Sequence, residues 1–208
     1  FDIPVLYRDD DIVVVDKPHF LATMPRGSHV AQTAVVRLRR ALELPELSPA
    51  HRLDRLTAGV LLFTVRREVR GAYQTLFSSG AVSKTYHAVA QGDPSCALPV
   101  LVRNRIVKRR GVFQASVEPG EPNASTLVES LGNGRYRLTP HTGRTHQLRV
   151  HMCGLGVPIL NDPLYPVVRD VAADDFSSPL QLLAHSLEFV DPLSGRSRLF
   201  VSGRTLAG

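Results

Sequence analysis

Apolar and polar positions alternate with a period of two at both ends of the chain and with a period near 3.6 in three short stretches between them. Val5–Tyr7 and Ile12–Asp16 are β-branched runs either side of the acidic turn Asp9–Asp11, which predicts a hairpin ended by Lys17-Pro18. Thr33 is placed to cap a helix on which Ala34, Leu38 and Leu42 recur at helical spacing until Pro45, leaving Arg37 and Arg40 on one exposed face. Pro45 to Pro49 reads as a loop, and Thr57-Ala58-Gly59 as a turn into a strand at Val60–Val65. A second helix is predicted near Arg67–Phe77, ending by Gly80. The strand Ser83–Gln91 follows, with Lys84, Tyr86 and Ala88 on one face. Thr126–Leu131 and Arg135–Thr139 flank an Asn-Gly step, a strong hairpin signal. Thr145 is placed to cap a third helix running to Cys153, with Gly154 just beyond it. Leu182–Phe189 and Arg198–Val201 bracket the turn Asp191–Gly195 as a closing hairpin. Hairpins with three short helices predict an α+β class built on a mixed, mainly antiparallel central sheet, with residues 1–208 forming a single domain.

Length and composition narrow the function classes. The 208 residues suit one domain, or one split into two lobes, and 43% hydrophobic with 21% charged residues excludes wholesale disorder. No apolar run approaches the roughly 18 residues of a membrane span, so no membrane anchor is expected. Phe1 is not an initiator methionine, so the N-terminus is expected to be trimmed. Cys96 and Cys153 have no metal-type spacing, so neither a disulfide framework nor a zinc knuckle is expected, and a reducing, cytoplasmic setting is. The net charge is +6, and 22 of the 25 basic residues are arginine, clustered at Arg37, Arg39 and Arg40, at Arg66, Arg67 and Arg70, and at Arg103, Arg105, Lys108, Arg109 and Arg110. Arginine binds phosphate in bidentate fashion and stacks on bases. On charge alone a nucleic-acid binder and an arginine-rich solvated surface remain equal alternatives.

Three clusters carry candidate chemistry. In His51-Arg52-Leu53-Asp54 an extended backbone sends Leu53 to the core and Arg52 and Asp54 to the other side. A carboxylate among cations suits a nucleophile or an electrostatic stabiliser, or forms a structural ion pair. In Gly143 to His151, Leu148, Met152 and Leu155 form an apolar stripe, and His146 and Arg149, three apart, share another side. His141, His146 and His151 are five apart, which puts neighbours on divergent faces and rejects a metal site. For His151 ordinary hydrogen bonding is expected. Tyr86, on a strand beside Lys84, is either a half-buried strand tyrosine or an aromatic that stacks on a base and holds a proton-transfer position. Asn161-Asp162-Pro163 reads as a loop turn. Ser28-His29 follows Gly27 without the context of a hydrolase nucleophile, and phosphate-loop and dinucleotide glycine motifs are absent.

Taken together, four stretches in order closely resemble the RluA-like family of pseudouridine synthases: Asp16-Lys17-Pro18, His51 to Gly59 (HRLDRLTAG), Ser83-Lys84-Thr85-Tyr86, and Gly143 to Met152 (GRTHQLRVHM). Asn161 to Tyr165 and Leu183-Ala184-His185 also look like family segments. The resemblance implies the pseudouridine synthase catalytic fold with an active-site cleft containing Asp54, and isomerisation of uridine to pseudouridine in ribosomal or transfer RNA. It implies no metal and no organic cofactor. Asp54 then acts on the ribose of a flipped-out uridine, as a nucleophile or as the base that gives a glycal; Arg149 pairs with Asp54 and keeps it charged. Tyr86 stacks on the uracil and is the candidate for proton removal from carbon 5. Arg52 fills the space the nucleotide leaves, and His51, Lys84, Arg144 and His146 complete the substrate- and RNA-binding set. RNA is the expected partner and a monomer the expected state. The rivals are a non-catalytic RNA-binding protein on the same scaffold and a sugar-bond hydrolase that uses the carboxylate and would form free uracil. Two positions depart from the family pattern. Ala58 replaces the usual serine, and His19-Phe20-Leu21 is bulkier than the small glycine-containing turn that usually follows Lys-Pro.

Overall fold

Unbroken β-branched and aliphatic runs make strands that are buried on both faces, and two of them form the centre of the N-terminal half. In the computed structural model, which describes residues 1–25, 32–172 and 174–207, these are β2 and β4; Ser28-His29 lies outside the described residues. The chain divides into two units, Phe1–Lys84 with Ala184–Arg204, and Thr85–Leu183 with Thr205–Gly208, so that the boundaries fall inside two strands.

In unit 1, β1 (Val5–Arg8) and β2 (Ile12–Lys17) form the expected hairpin. The Asp9 carboxylate closes its turn by accepting the Asp11 and Ile12 N–H groups. Helix α1 (Ala34–Ala41) starts at Thr33, whose hydroxyl accepts from the Val36 N–H, and buries Ala34, Val35 and Leu38. The stretch read as a loop contains β3 (Ser48–Pro49), a two-residue strand on β4 (Ala58–Thr64). β4 starts at Ala58 rather than after Gly59, so the turn lies earlier than the sequence pattern suggests. Gly59 is required there: it has φ +114°, and a Cβ would lie 2.2 Å from the Ala184 carbonyl oxygen. Helix α2 (Arg70–Ser78) starts three residues later than expected. Its Tyr73 and Leu76 pack with Ile12, Val14, Val60, Leu62, Leu187 and Phe189, one face of the sheet. The strand order in this unit is β1-β2-β4-β10, where β10 is Leu182–Val190, and β11 (Ser197–Val201) pairs antiparallel with β10.

Unit 2 holds antiparallel strands in the order β5-β9-β8-β6-β7. β5 is Ser83–Val89, β6 Val100–Val107, β7 Ser116–Glu118, β8 Ala124–Gly132 and β9 Arg135–Pro140. β8 and β9 join at the expected Asn-Gly turn, with Asn133 and Gly134 both at positive φ. β6 and β7 were not legible in the pattern. On β6, Leu101, Arg103 and Arg105 alternate outward, so the exposed side of the strand carries charge and an apolar residue together. Helix α3 spans Gln147–Gly154. Thr145 does not cap it. His146 sits before it in the left-handed region at φ +58°, and Gln147 ties the entry loop down instead. Its side-chain oxygen accepts from the Thr142 hydroxyl (2.7 Å) and the Arg144 N–H (3.0 Å), and its nitrogen donates to Ser125 O and Thr126 Oγ1. Together these elements make an α+β fold. Among the described residues, no helix is long and apolar enough to cross a membrane.

Candidate active site

The Asp54 segment is a turn between β3 and β4, and the residues on both sides of Asp54 are held by the loop that follows β2. Leu53 is gripped twice by Thr23, whose hydroxyl donates to Leu53 O (2.8 Å) and accepts from Leu53 N–H (3.2 Å). The Lys17 ammonium donates to Arg55 O at 3.4 Å, and His19 Nδ1 donates to Leu56 O at 2.7 Å. The Asp54 carbonyl accepts from Thr57 N–H and closes the turn. Each of these bonds uses backbone atoms of residues 53–57, so the chain on both sides of the half-buried Asp54 is fixed. Leu53 is buried and Arg52 exposed, as the extended reading of this segment expects.

Lys17 is the cost of that arrangement. It is fully buried, and its ammonium also donates to Pro18 O (2.9 Å) and Leu21 O (2.8 Å). Burial lowers its pKa to about 7, against the opposing pull of the Asp54 carboxylate. Asp16, its neighbour, accepts from the Ser202 hydroxyl and the Gly203 N–H and pairs with Arg204 at 3.2 Å, so the Asp-Lys-Pro stretch anchors both the Asp54 turn and the end of unit 1. Phe20, inside the clasping loop, has φ +64°. For a bulky residue this conformation costs roughly 1–3 kcal/mol. The guanidinium of Arg55, the residue after Asp54, lies over its ring at 6.0 Å.

His51 and Lys84 meet on one aromatic ring. The imidazole stacks on Phe77 (4.4 Å between centroids, 18° between planes), and the Lys84 ammonium lies 6.0 Å from the same centroid. His51 Nε2 accepts from the Leu62 N–H at 3.2 Å, so the ring couples the turn to β4. Burial, with Lys84 adding to it, lowers the His51 pKa to about 3, and burial lowers that of Lys84 as well. His51 is therefore a neutral ring that supports the strand next to Asp54.

In unit 2, Arg149 projects from α3 into the interior and meets Asp162 in a fork, Nε to Oδ2 at 2.7 Å and Nη2 to Oδ1 at 2.6 Å, with both side chains almost wholly buried. Asp162 Oδ1 also accepts from the Leu164 and Tyr165 N–H groups. The loop reading of Asn161-Asp162-Pro163 missed this carboxylate. A buried arginine needs a carboxylate close by, and Asp162 supplies one. The Tyr165 ring stands 5.4 Å from the Arg149 guanidinium and edge-on to His146. Its hydroxyl donates to Ala115 O and accepts from Ala115 N–H, leaving His146 Nδ1, 3.1 Å away, as a second donor to it. His146 and Arg149 thus converge on one tyrosine. Arg144 is exposed and its Nε donates to Asn123 O. Tyr86 is half-buried on β5, in register with Leu138 of β9. His51, Arg52, Asp54 and Lys84 belong to unit 1, and Tyr86, Arg144, His146 and Arg149 to unit 2.

His151 makes the hydrogen bonds expected of it, Nδ1 to Thr126 Oγ1 (2.9 Å) and Nε2 to Asn104 Oδ1 (3.0 Å), and burial lowers its pKa to about 4. The unfolded chain takes up this proton below about 6.5 while the fold refuses it until about 4, so stability is full above pH 6.5 and is lost as pH falls through that window. Urea denaturation between pH 7 and 4 checks this: His151→Gln should flatten the decline, and an unchanged pH slope would contradict the assignment.

The sequence profile described as RNA pseudouridylate synthase matches residues 11–153, a segment that contains all four motifs. Human pseudouridylate synthase RPUSD2 is 37% identical over 172 residues, covering 78% of this chain and 31% of that protein. The mouse protein of the same name is covered to 30%, so the chain spans about a third of the length of these two relatives. The dual-specificity RNA pseudouridine synthase RluA of Escherichia coli K12 is 32% identical over 205 residues, covering 94% of this chain and 90% of that one. Among solved structures, human RNA pseudouridylate synthase domain containing 1 superposes with a TM-score of 0.76 at 24% identity, over 98% of this chain and 84% of that one, a likeness of fold. A profile match through the clasped Asp54 turn and the Arg149 helix, with a bacterial relative aligned over nearly its whole length, places this chain in the RNA pseudouridylate synthase family, among its RluA-like members.

Proposed function

We propose that this protein isomerises uridine to pseudouridine in ribosomal or transfer RNA, acting as a single catalytic domain. The observation that carries the reading is the HRLDRLTAG turn. Its backbone is clasped on both sides of Asp54, as a reaction that reorganises bonds at one ribose carbon needs its carboxylate placed. The bond from uracil nitrogen 1 to the ribose anomeric carbon breaks, the base turns, a bond forms from that carbon to uracil carbon 5, and the proton on carbon 5 leaves while nitrogen 1 gains one. Asp54 acts on the ribose, by either route named above. Tyr86 stacks on the base and takes part in removing the carbon 5 proton. Arg149, its orientation locked by Asp162, supplies the positive charge, and Arg52 takes the place of the flipped nucleotide. The chemistry needs neither metal nor organic cofactor, and the protein works as a cytoplasmic monomer.

Flipping a base costs a few kcal/mol, least in an RNA loop, and phosphate contacts offset it. Tritium release from RNA labelled at uridine carbon 5, using total RNA from a strain lacking the protein, tests the activity. Release supports it; RNA binding without release would leave a binding protein. Arg103, Arg105 and Arg110 are all exposed. Replacing the three with alanine should make the plot of log affinity against log salt shallower by about 2, at about 0.7 per lost phosphate contact on single strands. An unchanged slope would place this arm off the RNA path.

A further inference from the structure

Phe20 stands out among residues the mechanism does not use. It occupies the left-handed backbone region at φ +64°, which a glycine would adopt without penalty, in the middle of the loop that clasps the Asp54 turn. The loop's hydrogen bonds to that turn come from Lys17, His19 and Thr23, and Phe20 supplies none of them. The ring is half-buried, tilted against His19 at 6.3 Å between centroids, with the Arg55 guanidinium 6.0 Å from its centre. A flat apolar face thus meets a flat cation carried by the residue that follows Asp54. Aromatic rings and guanidinium planes are the surfaces on which unpaired RNA bases stack.

We infer that Phe20, with Arg55, is a stacking shelf for an unpaired nucleobase next to the target uridine, and so a determinant of which RNA loops the protein accepts. The inference rests on the RNA reading above and adds to it a preference for a stacked neighbour. The ring grips the flanking base while the clasp it belongs to fixes Asp54, so binding of that base and alignment of the ribose share one loop.

The test measures the affinity of the full chain for a stem–loop RNA whose loop contains one uridine, and for the same RNA with every other loop nucleotide abasic. Phe20→Gly should bind the intact loop roughly tenfold more weakly while its thermal midpoint equals or exceeds that of wild type, because the glycine relieves the backbone. Wild type should lose a similar factor on the abasic loop, and Phe20→Gly should lose little more. Phe20→Tyr should restore wild-type affinity, whereas Phe20→Leu, apolar but not flat, should not. Equal affinity of wild type and Phe20→Gly for the intact loop would overturn the inference. So would independent, multiplying losses from the protein and RNA changes, or a wild type that does not bind at all. Tritium release in parallel keeps the two readings separate: binding that depends on Phe20 without release would sink the isomerase reading and leave the shelf standing.

Discussion

Asp54→Asn should abolish the proposed pseudouridine formation, by more than about a thousandfold, while thermal stability and RNA affinity stay near wild type. A residue that makes or breaks a bond in the reaction sets the rate by orders of magnitude, whereas one that only shapes the site moves it by less. Asparagine keeps the shape of the side chain, and the bonds from Lys17, His19 and Thr23 to the backbone of residues 53–57 remain available in the variant. Its electrostatic consequence is also specific. The Asp54 carboxylate opposes the fall in the Lys17 pKa, so its removal should push Lys17 below the value of about 7 it holds in the intact protein. Tritium release from carbon 5-labelled RNA and a binding assay on the same RNA give the two readouts. A fully active variant would remove Asp54 from the mechanism. Loss of binding together with activity would make it a structural residue of the turn.

The hairpins were legible because their signals are local. The Asn-Gly step between β8 and β9 and the acidic turn between β1 and β2 each need φ values or side-chain acceptors that few residues supply. Helix α1 was legible for the same reason, since Thr33 caps it and Leu38 lies on its buried side. Where tertiary contacts decide, the pattern misled. Gln147, a polar residue inside a helical pattern, is buried and holds the loop before α3, so the helix starts two residues after Thr145 and His146 takes the left-handed conformation. β6 escaped notice because arginines occupy its outward positions.

The candidate site divides along the same line. The family resemblance singles out Asp54, Tyr86 and Arg149, whereas the residue pattern alone leaves structural readings open for Asp54 and Tyr86. What holds them was invisible. A lysine buried under three carbonyls, one of them Arg55 O far along the chain, and an aspartate buried in what reads as a loop turn depend on side-chain burial, and composition carries no trace of it. The bulky His19-Phe20-Leu21 stretch, a departure from the family pattern, turned out to be part of the clasp itself, with His19 holding Leu56 and Leu21 receiving the Lys17 ammonium.

The buried fork between Arg149 and Asp162 separates structural from chemical roles in a way a single substitution cannot. Arg149→Met strands the Asp162 carboxylate, which keeps only the N–H groups of Leu164 and Tyr165 among its hydrogen-bond donors, and should destabilise the protein by about 3–5 kcal/mol. Activity then falls for a reason that says nothing about catalysis. Adding Asp162→Asn removes the stranded charge while keeping an acceptor for those two N–H groups. The double variant should therefore be more stable than Arg149→Met alone, by a coupling of about 1–3 kcal/mol in urea denaturation. A merely structural arginine predicts that activity returns with stability. An arginine whose charge serves the reaction predicts a folded, RNA-binding double variant that still releases no tritium. Recovery of turnover in the double variant would assign Arg149 to the fold, and an absence of coupling in the denaturation cycle would show that the fork seen between α3 and the 161–165 loop is not formed in solution.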